Sequence, residues 1–310
     1  MRPPLPPGVV AIVLSTFNGA AFLPAQLDSF PAQDGVTWRL YWRDDGSHDR
    51  SVAIMQAWAD AQDGGAGRCI RVDDAGHLGV TGSYMALLRA AVDDGATVVA
   101  FSDQDDVWMP HKLARSLEQL GPDPAPALYC SCQILIDGAG RHVAASSPVR
   151  VPPGLGPALT QNIATGCTVV MNGAAAALVA RSQAPSSTLH DWWSYLVVAA
   201  AGGRIVTDPE PTVYYRQHGG NAVGAPPSDT RRAIAALRRG PRSFMHVFRE
   251  HVAALRAQPG LLSPDGKRTV DAVARALARG PLGRFVVFGH RLQRQTWAET
   301  LLFRCWFLVG

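Results

Sequence analysis

The chain has 310 residues, 47% apolar and 17% charged, a composition that excludes disordered and fibrous classes and allows a sizeable globular core. No apolar run approaches the roughly 18–20 residues that cross a bilayer, the start MRPPLPPGVV lacks the apolar stretch of a signal peptide, and five cysteines without a CxxC pair fit neither a zinc site nor a disulfide framework. Net charge is +4 but uneven: residues 1–228 hold 14 Lys+Arg against 20 Asp+Glu, whereas residues 229–310 hold 15 against 5. A reducing cytoplasm suits the cysteines, and the acidic first part and basic tail predict two regions with different work.

Val9–Leu14 is a β-branched apolar run that ends in the loop residues STFNG at 15–19, which predicts a buried parallel strand. Trp38–Arg43 reads as a second strand, closed by DDGS at 44–47, and residues 48–60 carry Val52, Ile54, Met55 and Trp58 at near-helical spacing. Cys69–Val72 is a short third strand, and Thr81–Val92 presents Tyr84, Leu87, Leu88 and Ala91 on one helical face. Thr97–Phe101 is the fourth strand, and Pro110–Leu120 is a helix with proline near its start. Strand and helix alternate, so the expected fold is α/β with a parallel, doubly wound sheet, whose ligands sit at the carboxyl ends of strands.

Beyond residue 126 the expected elements are strand Ala127–Ile136, a Pro/Gly-rich loop at 146–157, strand Thr168–Met171 and helices Ala174–Ala180 and Trp192–Ala201. Ile205–Thr207 and Thr212–Arg216 follow as two short strand candidates, then a linker at Gly224–Pro227. The tail reads as amphipathic helices broken at Gly240-Pro241, with a later apolar segment, Phe285–Val309. Basic helices with aromatic faces suit an anionic membrane surface, and equally suit packing on the first domain or on a second copy. No nucleic-acid recognition motif is present.

The stretch FSDQDDVW at 101–108 places Asp103, Asp105 and Asp106 after a buried strand. Carboxylates that close repel one another. They form either a ligand set for a hard divalent cation, together with a nucleotide's phosphates, or an acidic helix start favoured by the helix dipole.

STFNG at 15–19, RDDGSHD at 43–49, FSDQDDVW at 101–108, HDWW at 190–193 and YRQHGGN at 215–221 occur in one order. With these segments the chain resembles the family 2 glycosyltransferases, and more narrowly their rhamnosyltransferase-like members, over about residues 9–223. The resemblance implies a GT-A fold with a helical extension, a nucleotide-diphosphate sugar donor, Mg²⁺ or Mn²⁺, and inversion at the anomeric carbon. It implies a donor side of Ser15, Phe17, Asp45, Gly79, Ser83, Asp103 and Arg216, with Phe17 stacking on a base, Asp45 accepting from a pyrimidine N3–H and Arg216 meeting the diphosphate. Metal ligands would be Asp105, Asp103 and His218. Asp191 would be the general base, with His190, Trp192 and Gly166 on the acceptor side. The first donor to test is dTDP-rhamnose and the acceptor a bacterial surface glycan or lipid-linked saccharide, met at the inner face of the cytoplasmic membrane. The competing expectations are a UDP-hexose donor and an inactive nucleotide-sugar-binding or scaffold protein, and a homo-oligomer is open.

Overall fold

The computed structural model describes residues 4–63, 68–72, 76–219, 229–280 and 284–309. The strands are β1 (Val10–Thr16), β2 (Trp38–Asp44), β3 (Cys69–Arg71), β4 (Val98–Ser102), β5 (Val107–Trp108), β6 (Ala127–Asp137), β7 (His142–Ala145), β8 (Val170–Asn172) and β9 (Arg204–Gln217). They form one sheet in the order β3-β2-β1-β4-β8-β6-β9-β5, with β7 paired to β6. β1 to β4 are parallel to one another; β8 runs against β4 and β6, whereas β6 and β9 pair in parallel. This is a curled, mostly parallel sheet flanked by helices.

The helices are α1 (Leu23–Asp28), α2 (Ser51–Asp63), α3 (Gly79–Asp93), α4 (Lys112–Leu120), α5 (Leu155–Thr160), α6 (Gly173–Ala180), α7 (His190–Ala200), α8 (Asp229–Ala257), α9 (Pro264–Leu277) and α10 (Trp297–Val309). The period of two along β1 assigns them to faces. Val10, Ile12 and Leu14 face one core, shared with Leu23 and Leu27 of α1, Met55 of α2 and Leu113 of α4. Ala11 and Val13 face the other, shared with α3, α6, α7 and the C-terminal helices.

Several elements differ from the sequence-based expectation. Ile205–Thr207 and Thr212–Arg216 are one strand, β9, whose pairing with β6 shifts register around Ser131 and Cys132. Asp208-Pro209-Glu210-Pro211 reads as a break, yet the strand continues because the Asp208 carboxylate is anchored by Arg115 Nε (2.6 Å) and Tyr129 Oη (2.9 Å). The short elements α1, β5, β7 and α5 carry too few residues for a periodic signal. The expected linker at 224–227 lies outside the described residues.

The tail breaks where its sequence says: Gly240, within α8, has φ +75° and is followed by Pro241, so the helix kinks there. Its apolar face is buried against the first part of the chain. Met245, Phe248, Val252 and Leu255 of α8, Val270 and Val273 of α9 and Phe303 and Phe307 of α10 pack into one cluster with Trp193 and Leu196 of α7. Polar ties accompany this packing. His251 Nε2 lies 2.8 Å from Thr188 Oγ1, and Thr160 Oγ1 donates to the Gln293 carbonyl (2.6 Å). Among the described residues no helix is long and apolar enough to cross a membrane.

Gly266 of α9 marks how close this packing is, because a Cβ there would stand 2.1 Å from the Ala200 carbonyl oxygen at the end of α7. In an unpacked helix Gly→Ala stabilises by about 1 kcal/mol. Here Gly266→Ala is expected to lower stability by about 1–3 kcal/mol through overpacking, read as a lower urea midpoint; a raised midpoint would mean that α9 does not sit against α7.

Candidate active site

A cleft of about 1020 Å³ opens across the carboxyl ends of β1, β2 and β4. Of the residues expected from sequence, Ser15, Phe17, Asp45, Gly79, Asp103, Asp105, Gly166, His190, Asp191 and Trp192 line it. Ser83, Arg216 and His218 are not among the lining residues.

The rim is a set of interlocked loops. Gln104, between the two acids of the Asp-Gln-Asp turn, accepts from Thr16 Oγ1 and the Phe17 N–H (both 2.9 Å) and donates to the Phe17 carbonyl (3.0 Å). A Cβ on Gly19 would stand 2.1 Å from Gln104 Oε1, so a side chain there would displace the Gln104 amide from these bonds. Asn18 adopts φ +49° while its N–H donates to Ser47 Oγ (2.8 Å) and its side chain accepts from the His48 N–H (2.8 Å). The loops after β1, β2 and β4 thus hold one another. Phe17 stays 45% exposed on this rim, 5.6 Å ring to ring from His77. Two neighbouring aromatic faces turned to solvent are suited to gripping a flat ring.

Asp45 lines the cleft and is also tied into the fold. Its Oδ1 accepts from Arg43 Nη1 (2.6 Å) and the Leu78 N–H (2.7 Å), and its Oδ2 from the Gly79 N–H (2.9 Å), with His77 Nδ1 also 2.9 Å away. A carboxylate has about four lone-pair sites; three are taken here, and His77 Nδ1 also lies 2.8 Å from the Asp45 backbone carbonyl. Burial pushes the Asp45 carboxyl up, but the Leu78 N–H, Arg43 and Ser83 outweigh it and hold the group below the usual carboxylate range. Asp45 therefore anchors the N-terminus of α3, where a negative charge also meets the helix dipole. Ser83 accepts from Arg43 Nη1 beneath it and supports the same knot.

The acids after β4 converge differently. Tyr84 Oη donates to Asp103 Oδ1 (2.7 Å) and to the Ser102 carbonyl (2.6 Å). His218 Nε2 lies 2.8 Å from Asp105 Oδ2. Asp106 is fully buried and accepts from the Arg216 N–H (2.9 Å), so it braces the loop. Arg216 also braces this loop: Nε donates to the Asp105 carbonyl (2.9 Å) and Nη1 to the Gly138 carbonyl (3.2 Å), above the Phe22 ring. Burial, Asp105 and Asp191 push the Asp103 carboxyl upward, and burial with Asp103 and Asp105 does the same to Asp106. One ligand atom each from Asp103, Asp106 and Cys167 falls within a 4.8 Å group. Burial pushes the Cys167 thiol well up, so it is neutral and a poor ligand for a hard cation. Asp103, Asp105 and His218 supply oxygen and imidazole donors that fit Mg²⁺ or Mn²⁺.

Asp191 enters from the first turn of α7. It lines the cleft, is 7% exposed, and accepts from the Trp192 N–H at 2.5 Å. Burial pushes its carboxyl up to about 6, against hydrogen bonds from Trp192, Asn162 and Gly166 that pull down. His190 stacks on Tyr84 with centroids 3.6 Å apart and planes 8° apart, and burial lowers it to about 3, so the imidazole is neutral. A Cβ on Gly166 would meet His190 Nε2 at 2.9 Å and Asp103 Oδ2 at 3.5 Å, so the glycine keeps this passage open. Sequence reasoning passed over Tyr84, His77 and Gln104. Gln104 alone had a local signal, lying between two expected ligands.

A family model described as Glycosyl transferase family 2 matches residues 11–180, more than half of the chain. The protein belongs to glycosyltransferase family 2. It is 25% identical over 221 residues to a dTDP-rhamnosyl transferase, RfbG, of Shigella flexneri, covering 68% of this chain and 74% of that one. It is 28% identical over 228 residues to an uncharacterized glycosyltransferase of Nostoc sp., covering 68% of this chain and 66% of the relative. Among solved structures, S. aureus TarS 1-349 in complex with UDP-GlcNAc matches with a TM-score of 0.59 at 15% identity, covering 85% of this chain and 70% of that one. The mannosyltransferase PcManGT of Pyrobaculum calidifontis, in complex with GDP-Man and Mn²⁺, matches with a TM-score of 0.52 at 16% identity, covering 99% and 89%. The fold is GT-A and the family 2 protein is a glycosyltransferase.

Asp45→Ala is expected to cost about 3 kcal/mol, because it uncaps α3 and leaves Arg43 buried without its carboxylate. Urea denaturation measures this. A loss under about 0.5 kcal/mol, the range of an ordinary surface change, would return Asp45 to a purely ligand-facing role.

Proposed function

We propose that the protein is a metal-dependent, inverting glycosyltransferase, with residues 1–228 as the catalytic region and 229–310 as a helical extension, and that its donor is dTDP-rhamnose. The observation that carries the mechanism is the meeting of Asp191, from α7, with Asp103 and Asp105, from the end of β4, in one cleft. Asp103, Asp105 and His218 would hold Mg²⁺ or Mn²⁺, whose charge offsets that of the nucleoside diphosphate as it leaves. Phe17 and His77 grip the base, and Ser15 and Gly79 line the donor side.

Asp191 takes the proton of an acceptor hydroxyl as that oxygen bonds to the anomeric carbon and the bond to the diphosphate breaks. One base on the face opposite the leaving group gives inversion, and such a group contributes about 10²–10⁴-fold. Trp192 fixes the Asp191 carboxylate through its N–H and is itself tied by its indole N–H to the Ala158 carbonyl (2.8 Å). Support for rhamnose comes from the likeness to a protein named dTDP-rhamnosyl transferase. A UDP-sugar donor is the second reading, favoured by the likeness of fold to TarS with UDP-GlcNAc. A surface glycan or lipid-linked saccharide is the acceptor, and the basic extension suits peripheral contact with an anionic membrane at its cytoplasmic face.

Asp191→Asn is expected to lower kcat about 10²–10⁴-fold with little change in donor affinity. The folded carboxyl titrates near 6, above its ordinary value, so the basic form is lost as pH falls through that point. kcat/KM for the acceptor in the wild type should therefore fall tenfold per pH unit below about 6. A flat profile between pH 5 and 7, or an active Asn variant, would remove Asp191 from the role of base.

A further inference from the structure

The cleft is larger than its donor-side residues need. Single-ligand pockets run to about 300–1,000 Å³, and this cleft is at the upper end with a second group of lining residues that none of the donor roles uses. That group comes largely from outside the matched residues 11–180: Phe244 and Val247 of α8, Arg294 and Thr296 of the strap before α10, and Trp306 of α10. The Phe244 and Trp306 rings lie 5.6 Å apart, and the Arg294 guanidinium sits over Phe244 at 5.5 Å. The strap is fastened to the catalytic part, since Gln295 accepts from the Arg150 N–H (2.7 Å) and its own N–H donates to Gln161 (2.9 Å).

The chemistry of this wall is specific. Alongside the aromatic pair the cleft carries Gln133, Asn162, Thr165 and Ser243, all neutral hydrogen-bonding groups. Gln133 donates to Thr165 Oγ1 (3.2 Å), but its Oε1 is buried and has no hydrogen-bond partner among the described residues. A buried amide oxygen without a donor costs about 1–3 kcal/mol unless something supplies one. The charged residues of this lining are Arg294, which faces Glu299 Oε1 at 4.0 Å, Asp208, which is paired with Arg115 Nε at 2.6 Å, and Arg150. Aromatic faces for C–H surfaces, with amides and hydroxyls outnumbering charged groups, together describe a site for a sugar ring. A lipid chain would need a continuous apolar wall, and a phosphate would be better served by a cluster of cations.

We infer that the C-terminal extension builds the acceptor subsite, and that this subsite takes an uncharged saccharide whose ring packs on Trp306 and Phe244. The assignment as acceptor site rests on the glycosyltransferase reading above. The saccharide site itself does not, and the test separates the two.

The probes are the methyl glycosides of rhamnose, glucose, galactose and N-acetylglucosamine, with methyl glucuronide and dodecyl maltoside as the charged and apolar-chain comparators. Saturation-transfer NMR reads their binding to the wild type, Trp306→Leu and Ser243→Phe; the second variant fills the cleft from an exposed position without removing core. At least one neutral methyl glycoside should bind saturably and weaken at least about tenfold in both variants, the loss expected on removing an aromatic anchor. dTDP and UDP titrations should be unchanged in both. Binding of the glucuronide alone or of dodecyl maltoside alone would overturn the proposal, as would no neutral binding or unaltered binding in folded Ser243→Phe. Neutral glycoside binding without nucleotide binding in the wild type would leave the saccharide site standing and refute the transferase reading.

Discussion

Four carboxylates, those of Asp103, Asp105, Asp106 and Asp191, stand in or beneath one partly dry cleft, and their mutual repulsion constrains everything around them. Burial and like charge both raise the free energy of the ionised forms. The surroundings answer with fixed positive and donor groups. Lys112, fully buried, places its ammonium over the Trp108 ring at 4.5 Å, and burial lowers it only to about 8, so it remains a cation at neutral pH under the acids. Arg216 and His218, from the end of β9, and Tyr84 of α3 complete the cradle. A site built to tolerate this much negative charge is also built to receive a cation, and a cation is what a diphosphate needs.

The same constraint explains the rigidity of the rim. If the turn after β4 could relax, its acids would move apart into water. Gln104 prevents this by bonding to the loop after β1, and that loop is in turn tied to the loop after β2 through Asn18, Ser47 and His48. Preorganisation of this kind lowers the reorganisation needed when a charged ligand arrives. The extension contributes at the other scale: its apolar faces thicken the core behind α7 and so fix the helix start that carries Asp191.

Much of this arrangement was legible in the sequence, for definable reasons. Alternating apolar runs disclosed the parallel strands, because a strand buried on both faces has no polar residues to hide it. The acid turn, the HDWW segment and Gly166 were singled out by the resemblance, and Asp103, Asp105, His190, Asp191, Trp192 and Gly166 line the cleft. The anchoring contacts of Asp45 and Arg216 were not legible because they include backbone groups 33 to 111 positions away, and a sequence does not show which N–H or carbonyl comes to lie beside a side chain. The tail illustrates the same limit: its amphipathic faces could be read, but whether they met a membrane, a copy or the first domain depends on packing that amphipathicity alone leaves open.

The most direct test is calorimetric titration of dTDP and UDP into the wild type and Asp105→Ala, each with and without Mn²⁺. The account predicts binding of one nucleotide that needs Mn²⁺ in the wild type and is lost in the variant, with the variant's thermal unfolding otherwise normal. Nucleotide binding that is indifferent to Mn²⁺ and to Asp105, or no binding by the folded wild type, would contradict the claim that these acids hold the cation that holds the diphosphate.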